Sequence, residues 1–197
     1  MEIKTFVSSN MGENCYAVKV GSECFVVDPG EFSPELQNYA AENKDSIKYF
    51  LLTHCHFDHV MGAKALKEIC KSASIVAFAG EVEGLGSPSI NLSTYFGLPP
   101  INITPDLTVN DGDKLKIAGR EIEVLHTPGH TKGSVCYLID KTLFSGDTLF
   151  KGSFGRTDLP TSSTAELISS LKRLKALDED ILVLSGHGEK TTIGKER

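Results

Sequence analysis

Apolar and polar residues at the start of the chain follow the short period of β-strands. The runs Ile3 to Val7, Cys15 to Val20 and Cys24 to Val27 are separated by turn residues, which predicts three antiparallel strands. Ser33-Pro34-Glu35 then combines an N-cap residue, a proline at the first helical position and an acid in the first turn, so we predict a helix to about Asn43. The chain therefore begins as a small sheet followed by a helix.

The pattern then alternates between strands and a helix. We predict a buried strand over Ile47 to Leu52, a helix over Val60 to Cys70 and another strand over Ser74 to Phe78. Residues 84 to 106 are rich in glycine and proline but also contain aromatic residues. This composition predicts a long loop, either a lid or wall for a substrate or a connector packed on the core.

The second half begins with strands again and ends with a helix and a strand. The predicted elements are a hairpin of Lys114 to Ala118 and Glu121 to Leu125 around Gly119-Arg120, strands over Val135 to Ile139 and Thr142 to Phe144, a helix from the Ser163 cap to about Leu177, and a strand over Ile181 to Leu184. No linker divides the chain. The pattern predicts an α/β protein with one domain over residues 1–197, in which two mixed sheets pack together with helices outside.

Composition and charge narrow the functional classes. The 197 residues are 40% hydrophobic and carry a formal charge of −6, without a Lys/Arg block, which disfavours a nucleic-acid partner. No apolar run approaches the roughly 20 residues that cross a bilayer, and no secretory signal is visible, so we expect a cytoplasmic protein without a membrane partner. The five cysteines are scattered without a C-x-x-C pair, which argues against disulfides and against a thiolate zinc site.

Histidines and aspartates cluster where predicted strands end. Three of the six histidines fall within residues 53–59, and three later segments each place a histidine or aspartate directly after a glycine at a strand end. Cys55, between two of the histidines, is predicted to be a packed structural thiol, and His126 to be a supporting or structural residue. The ligand candidates are five imidazoles and two carboxylates: His54, His56, Asp58, His59, His130, Asp147 and His187.

Seven candidates exceed the three protein ligands of a typical catalytic zinc, so they suggest two metal ions. The economical arrangement places His54, His56 and His130 on one ion, and the set Asp58, His59 and His187 on the other, with Asp147 bridging. Imidazole and carboxylate ligands suit two divalent ions, which we take first as zinc, with iron or manganese as alternatives.

The formal charge of such a site predicts its substrate. Two divalent ions contribute about +4, and two carboxylates with a hydroxide remove about 3, so about +1 remains to attract an anion. A metal pair lowers the pKa of bound water and stabilises the oxyanion formed at a carbonyl. We therefore expect hydrolysis of a small anionic substrate by a metal-bound hydroxide, with Asp58 as a metal ligand that also orients this nucleophile.

These motifs resemble the metallo-β-lactamase superfamily. The resemblance rests on T-H-x-H-x-D-H at 53–59, H-T-P-G-H-T at 126–131, S-G-D-T-L-F at 145–150 and G-H-G at 186–188. It implies an αββα sandwich with the metals at one edge and supports the ligand assignment above. It also implies that Asp28, in a strand-end turn with Pro29 and Gly30, supports the site from behind the ligands. Asp147 implies that the chain is not a true β-lactamase.

Residues 149–158 resemble the glyoxalase II and persulfide dioxygenase branches. This resemblance implies that Arg156 binds a substrate carboxylate, although an internal ion pair is the alternative. Asp158 departs from the aromatic residue common in glyoxalase II, and no long helical region follows His187, so the likeness is to short, single-domain glyoxalase II-like hydrolases.

The predicted function is therefore binuclear, metal-dependent hydrolysis of a small thioester, such as S-lactoylglutathione or a related thiol ester. The first alternative is a mononuclear iron persulfide dioxygenase, in which His54, His130 and Asp147 hold the iron. The second is a nucleic-acid-processing or metal-stabilised binding protein, which the acidic charge disfavours.

Overall fold

Two six-stranded sheets form the centre of the computed structural model, which describes residues 1–197. The first half of the chain builds one sheet in the order β1-β2-β3-β4-β5-β6, antiparallel from β1 to β3 and parallel from β3 to β6. Its elements are β1 (Glu2–Val7), β2 (Asn14–Val20), β3 (Glu23–Val27), α1 (Pro34–Glu42), β4 (Ile47–Leu51), α2 (Phe57–Val60), α3 (Ala63–Ile69), β5 (Ser74–Phe78), α4 (Val82–Leu85) and β6 (Leu107–Val109).

The second half builds the other sheet. Its elements are β7 (Lys114–Ile117), β8 (Arg120–His126), β9 (Val135–Ile139), β10 (Thr142–Gly146), β11 (Leu149–Phe150), β12 (Ser153–Phe154), α5 (Thr164–Lys175), β13 (Leu182–Ser185) and β14 (Thr191–Thr192). The strand order is β14-β13-β10-β9-β8-β7, and only β10 and β13 are parallel neighbours. The two short strands β11 and β12 pair with each other.

Three apolar layers hold the two sheets and the helices together. Phe25 of β3 meets Phe144 of β10 edge to face between the sheets, with ring centroids 5.9 Å apart. Neighbouring residues point to the opposite faces of their strands. Val26 therefore belongs to the layer beneath α1 and α3, and Leu143 to the layer beneath α5. The predicted αββα sandwich of two mixed sheets flanked by helices is confirmed.

Two predicted elements differ from the structure in extent. The predicted helix over Val60–Cys70 is interrupted, because the Gly62 amide donates to the Pro29 carbonyl at 2.9 Å and the neighbouring turn leaves no room for a side chain at Gly62. The hairpin turn lies at Ala118-Gly119, where φ is 44° and 77°, rather than at Gly119-Arg120. Two left-handed residues match the twist of a two-residue hairpin, so Arg120 begins the next strand.

Four short strands, β6, β11, β12 and β14, were not predicted. Each has only two or three residues, which is too short to show a period in the sequence. No helix in the structure has the length and apolar composition that crossing a membrane requires.

The topology brings several strand ends to one edge of the sandwich. Strands β3, β4 and β5 run parallel, so their carboxyl ends share an edge of the first sheet. In the second sheet β8, β10 and β13 run in one direction, because β9 is antiparallel to both β8 and β10. The segments that follow β4, β8, β10 and β13 carry all seven ligand candidates.

Candidate metal centre

Strand β4 ends before the first histidine of the segment 53–59. His54 and His56 lie beyond the strand, which ends at Leu51, so strand alternation is the wrong reason for their shared direction. His56 is instead the N-cap of α2, with extended φ and ψ of −60° and 143°, and Asp58 and His59 lie within this helix. The predicted outcome still holds, because the rings of His54 and His56 face one group with centroids 4.7 Å apart.

His54, His56 and His130 form the first ligand group, which we call the three-histidine group. One ring nitrogen of each lies within 4.8 Å of the other two, and His56 Nδ1 is 2.9 Å from His130 Nε2. Burial lowers the pKa of His54 well below its usual value and lowers the pKa of His56 to about 3, and neighbouring imidazoles add to both shifts. These two rings are therefore neutral and offer lone pairs.

Asp58, His59 and His187 form the second group, which we call the Asp58 group. His187 Nε2 lies 3.4 Å from Asp58 Oδ2 and 3.3 Å from His59 Nε2. Although burial opposes the charged form, the carboxylates of Asp147 and Asp58 raise the pKa of His59. Burial likewise opposes ionisation of Asp58, but His59 and His187 hold its pKa below the usual range.

Asp147 lies between the two groups. Its Oδ1 is 3.4 Å from His59 Nε2, and its Oδ2 is 3.6 Å from His130 Nε2 and 3.7 Å from His187 Nε2. Asp147 Oδ1 is buried without a hydrogen-bond partner. The carboxylate therefore lies within reach of both groups, as a bridging ligand requires.

Acceptors behind the rings fix which nitrogen faces the centre. Asp28 Oδ2 accepts a hydrogen bond from His59 Nδ1 at 2.9 Å, and the Arg156 carbonyl accepts one from His130 Nδ1 at 2.9 Å. Thr53 Oγ1 donates to Asp28 at 2.6 Å and so accepts from His54 Nδ1 at 3.0 Å. Each ring therefore turns Nε2 towards the centre, and this is the nitrogen that would bind an ion. Asp28 lies behind the ligands, where the resemblance implies it.

Metal ions fit this donor set. His54 Nε2 is fully buried and has no hydrogen-bond partner. Such an orphaned polar atom is costly in the interior unless it coordinates an ion. Three neutral imidazoles form one set, an aspartate with two imidazoles forms the other, and both sets suit divalent first-row metals.

Glu81 is a supporting residue that the sequence pattern did not reveal. Its buried Oε1 accepts hydrogen bonds from the Cys55 amide at 2.8 Å and from Thr131 Oγ1 at 2.7 Å. Cys55 lies between two ligands and Thr131 follows the third, so one carboxylate ties together both loops of the three-histidine group. No motif marks Glu81, because the contact arises only when the end of β5 meets the two loops.

We expect Glu81→Ala to weaken zinc binding at the three-histidine group by about 10- to 100-fold, the usual effect of losing a residue that orients metal ligands. Glu81→Gln retains an oxygen that can accept both hydrogen bonds and should keep most of the affinity. Competition with a chromogenic chelator measures both values, and thermal unfolding of the metal-free proteins checks the fold. Equal weakening in the two variants would contradict this role.

A cavity of about 560 Å³ opens onto the centre. This volume suits a small ligand. The predicted long loop supplies Leu92, Tyr95 and Phe96 to its wall, and Arg156 lines it as well. His126 lies apart from both ligand groups, where it stacks on Phe78 with ring centroids 4.3 Å apart. Cys55 is buried and belongs to neither ligand group, and its sulfur packs beside Gly84.

Comparisons with known proteins identify the family that this chain resembles. A family model described as the metallo-beta-lactamase superfamily matches residues 10–187. The chain is 38% identical over 184 residues to hydroxyacylglutathione hydrolase GloC of Haemophilus influenzae, covering 87% of this chain and 83% of that protein.

Three solved structures share the fold over nearly the whole chain. The B3 metallo-beta-lactamase BLEG-1 has a TM-score of 0.91 at 33% identity, covering 99% of this chain and 96% of its own. TTHA1623 in a di-iron-bound form has a TM-score of 0.86 at 32% identity, covering 98% and 96%. ETHE1 from Myxococcus xanthus has a TM-score of 0.79 at 26% identity, covering 100% and 81%.

Proposed function

The chain belongs to the metallo-β-lactamase superfamily, and from this premise we propose that it is a binuclear metallohydrolase that cleaves a small thioester. The observation that carries the proposal is the pair of ligand groups with Asp147 between them. The di-iron-bound form of TTHA1623 supports two ions, and the identity with GloC supports a thioester substrate.

The proposed ligands are those of the two groups. His54, His56 and His130 would hold one ion, and Asp58, His59 and His187 the other, with Asp147 shared. When bound, the ions supply Lewis-acid polarisation of the carbonyl and a lowered pKa for water. Zinc is the first choice for both positions, with iron or manganese as alternatives.

Asp58 is placed to move the proton of the reaction. Its close contacts to His187 and His59 are made by Oδ2, which leaves Oδ1 to accept a hydrogen bond from the attacking water. The water would give a proton to Asp58 and add its oxygen to the thioester carbonyl, the carbon–sulfur bond would break, and Asp58 would return the same proton to the leaving sulfur. The low pKa that His59 and His187 impose keeps this carboxylate ionised, so that Oδ1 can accept a hydrogen bond from the water.

The proposal is tested by separate reconstitution with zinc, manganese and iron(II). Each form is offered the lactoyl thioesters of glutathione and of N-acetylcysteamine, and loss of the thioester absorbance is followed. We expect turnover of at least one thioester by protein that holds two ions per chain. No turnover by fully loaded protein would contradict the proposal. A cephalosporin is included because BLEG-1 is described as a β-lactamase, and faster cleavage of the cephalosporin than of both thioesters would also contradict it.

A mononuclear iron oxygenase is the second candidate. His54, His130 and Asp147 supply the two imidazoles and one carboxylate that such a site requires, and ETHE1 shares the fold. The position of His56, 2.9 Å from His130, and the separate Asp58 group favour the binuclear site instead. One iron per chain, with oxygen uptake in the presence of glutathione persulfide, would favour the oxygenase.

A further inference from the structure

Several exposed apolar side chains line the cavity. Tyr95 is 83% exposed and Phe96 is 51% exposed, and Phe96 packs on Phe57 with ring centroids 4.8 Å apart. Leu159 and Pro160 also line the cavity. An exposed aromatic wall beside a polar centre is suited to the apolar part of a ligand.

One ion pair lies among these apolar residues. Arg156 is the only lysine or arginine that lines the cavity, and Asp158 lines it as well. Arg156 Nε lies 2.6 Å from Asp158 Oδ1, and Arg156 Nη2 lies 2.7 Å from Asp158 Oδ2. This two-point contact occupies one edge of the guanidinium and places a carboxylate charge beside the rest of it.

The backbone holds this pair at a fixed place beside the metal ligands. The Arg156 carbonyl accepts a hydrogen bond from His130 Nδ1 at 2.9 Å. Gly155 packs so closely on Asp147 that a Cβ there would lie 1.9 Å from the Asp147 carbonyl oxygen. The hydrogen bond with Arg156 lowers the pKa of Asp158, so both partners remain charged at neutral pH.

We infer that Asp158 is a specificity-determining residue that neutralises Arg156 and selects thioesters whose thiol half is uncharged, an inference that rests on the proposed function. When glutathione is the thiol half of the thioester, that half carries two carboxylates. Either carboxylate must displace Asp158 from the guanidinium or lie beside its negative charge, and both are unfavourable. An uncharged thiol half can lie against the aromatic wall beside an ion pair that has no net charge.

Binding without turnover tests this inference. Calorimetric titration of the zinc-loaded protein with S-hexylglutathione and with S-hexyl-N-acetylcysteamine compares a charged and an uncharged thiol half on the same alkyl group. We expect the wild-type protein to bind the uncharged ligand more tightly. Asp158→Asn should tighten binding of S-hexylglutathione by about fivefold, the effect of about 1 kcal/mol, and leave the uncharged ligand unchanged.

A matched control and a double variant complete the experiment. Asp140→Asn removes an aspartate from a similar exposed ion pair with Arg120, away from the cavity, and should change neither affinity. In the double variant Arg156→Gln/Asp158→Asn, the tighter binding of S-hexylglutathione should disappear. The inference is wrong if the uncharged ligand does not bind, if wild-type protein prefers the charged ligand, or if Asp158→Asn affects both ligands equally. Since these titrations need no hydrolysis, failure of the thioester assay would count against the proposed function alone.

Discussion

His54→Ala is expected to remove one metal ion per chain and to lower kcat/KM for the thioester by about 10³-fold or more. His54 Nε2 is buried without a hydrogen-bond partner, and Nδ1 is committed to Thr53. Nε2 is therefore the atom of His54 that would bind the ion, and alanine removes it. A metal ion supplies several kcal/mol of transition-state stabilisation, and each 1.36 kcal/mol is a factor of ten. Metal analysis and steady-state kinetics measure the two losses.

His126→Ala is the matched control for this variant. His126 is the one histidine outside the two ligand groups, where it stacks on Phe78 and its Nε2 contacts the Lys132 carbonyl at 3.0 Å. It should retain both ions and most of the activity. Normal turnover by a His54→Ala protein that circular dichroism shows to be folded would contradict the proposed site.

Asp58→Ala is expected to affect only one of the two ligand groups. Because Asp58 contacts His59 and His187 and not the three-histidine group, this variant should lose the second ion and keep the first. It also lacks the proposed proton acceptor, so supplying excess metal should not restore kcat. Full activity at high zinc would show that Asp58 acts only as a ligand.

The sequence predicted most of the strands, and it singled out candidate ligands that the structure places near one another. Both successes have a local cause: an apolar run that ends in polar residues marks a strand end, and parallel strands bring their carboxyl ends to one edge. The local argument for His54 and His56 was wrong, because the chain leaves β4 at Leu51 and turns before these residues.

The remaining differences depend on contacts between distant segments. The break at Gly62 results from the approach of Pro29, and Glu81 gains its role only when two loops close around it. Arg156 was predicted to hold a substrate carboxylate, and the structure pairs it with Asp158, only two residues away. The spacing permitted that pair, but it could not distinguish an internal partner from a substrate.

A glycine precedes each of three candidate ligands, and the need for a glycine there can be tested at Gly186. Its φ is not in the left-handed region, so alanine would cause no backbone strain there. A Cβ at Gly186 would lie 2.3 Å from Asp147 Oδ1 and 2.6 Å from His59 Cε1, closer than atoms can approach. One methyl group would therefore push apart the shared carboxylate and a ligand of the Asp58 group.

We expect Gly186→Ala to lower the free energy of unfolding of the metal-free protein by about 1 to 3 kcal/mol, as overpacking does. It should also lower kcat/KM by about 100-fold, the effect of a ligand displacement near 1 Å. Gly86→Ala is the matched control, because Gly86 also lacks a left-handed φ but its nearest neighbour would be 3.6 Å from the new Cβ. Denaturant unfolding and zinc titration measure both variants. If Gly186→Ala matches Gly86→Ala in stability, zinc content and activity, then close packing of the backbone against Asp147 is not what shapes this centre.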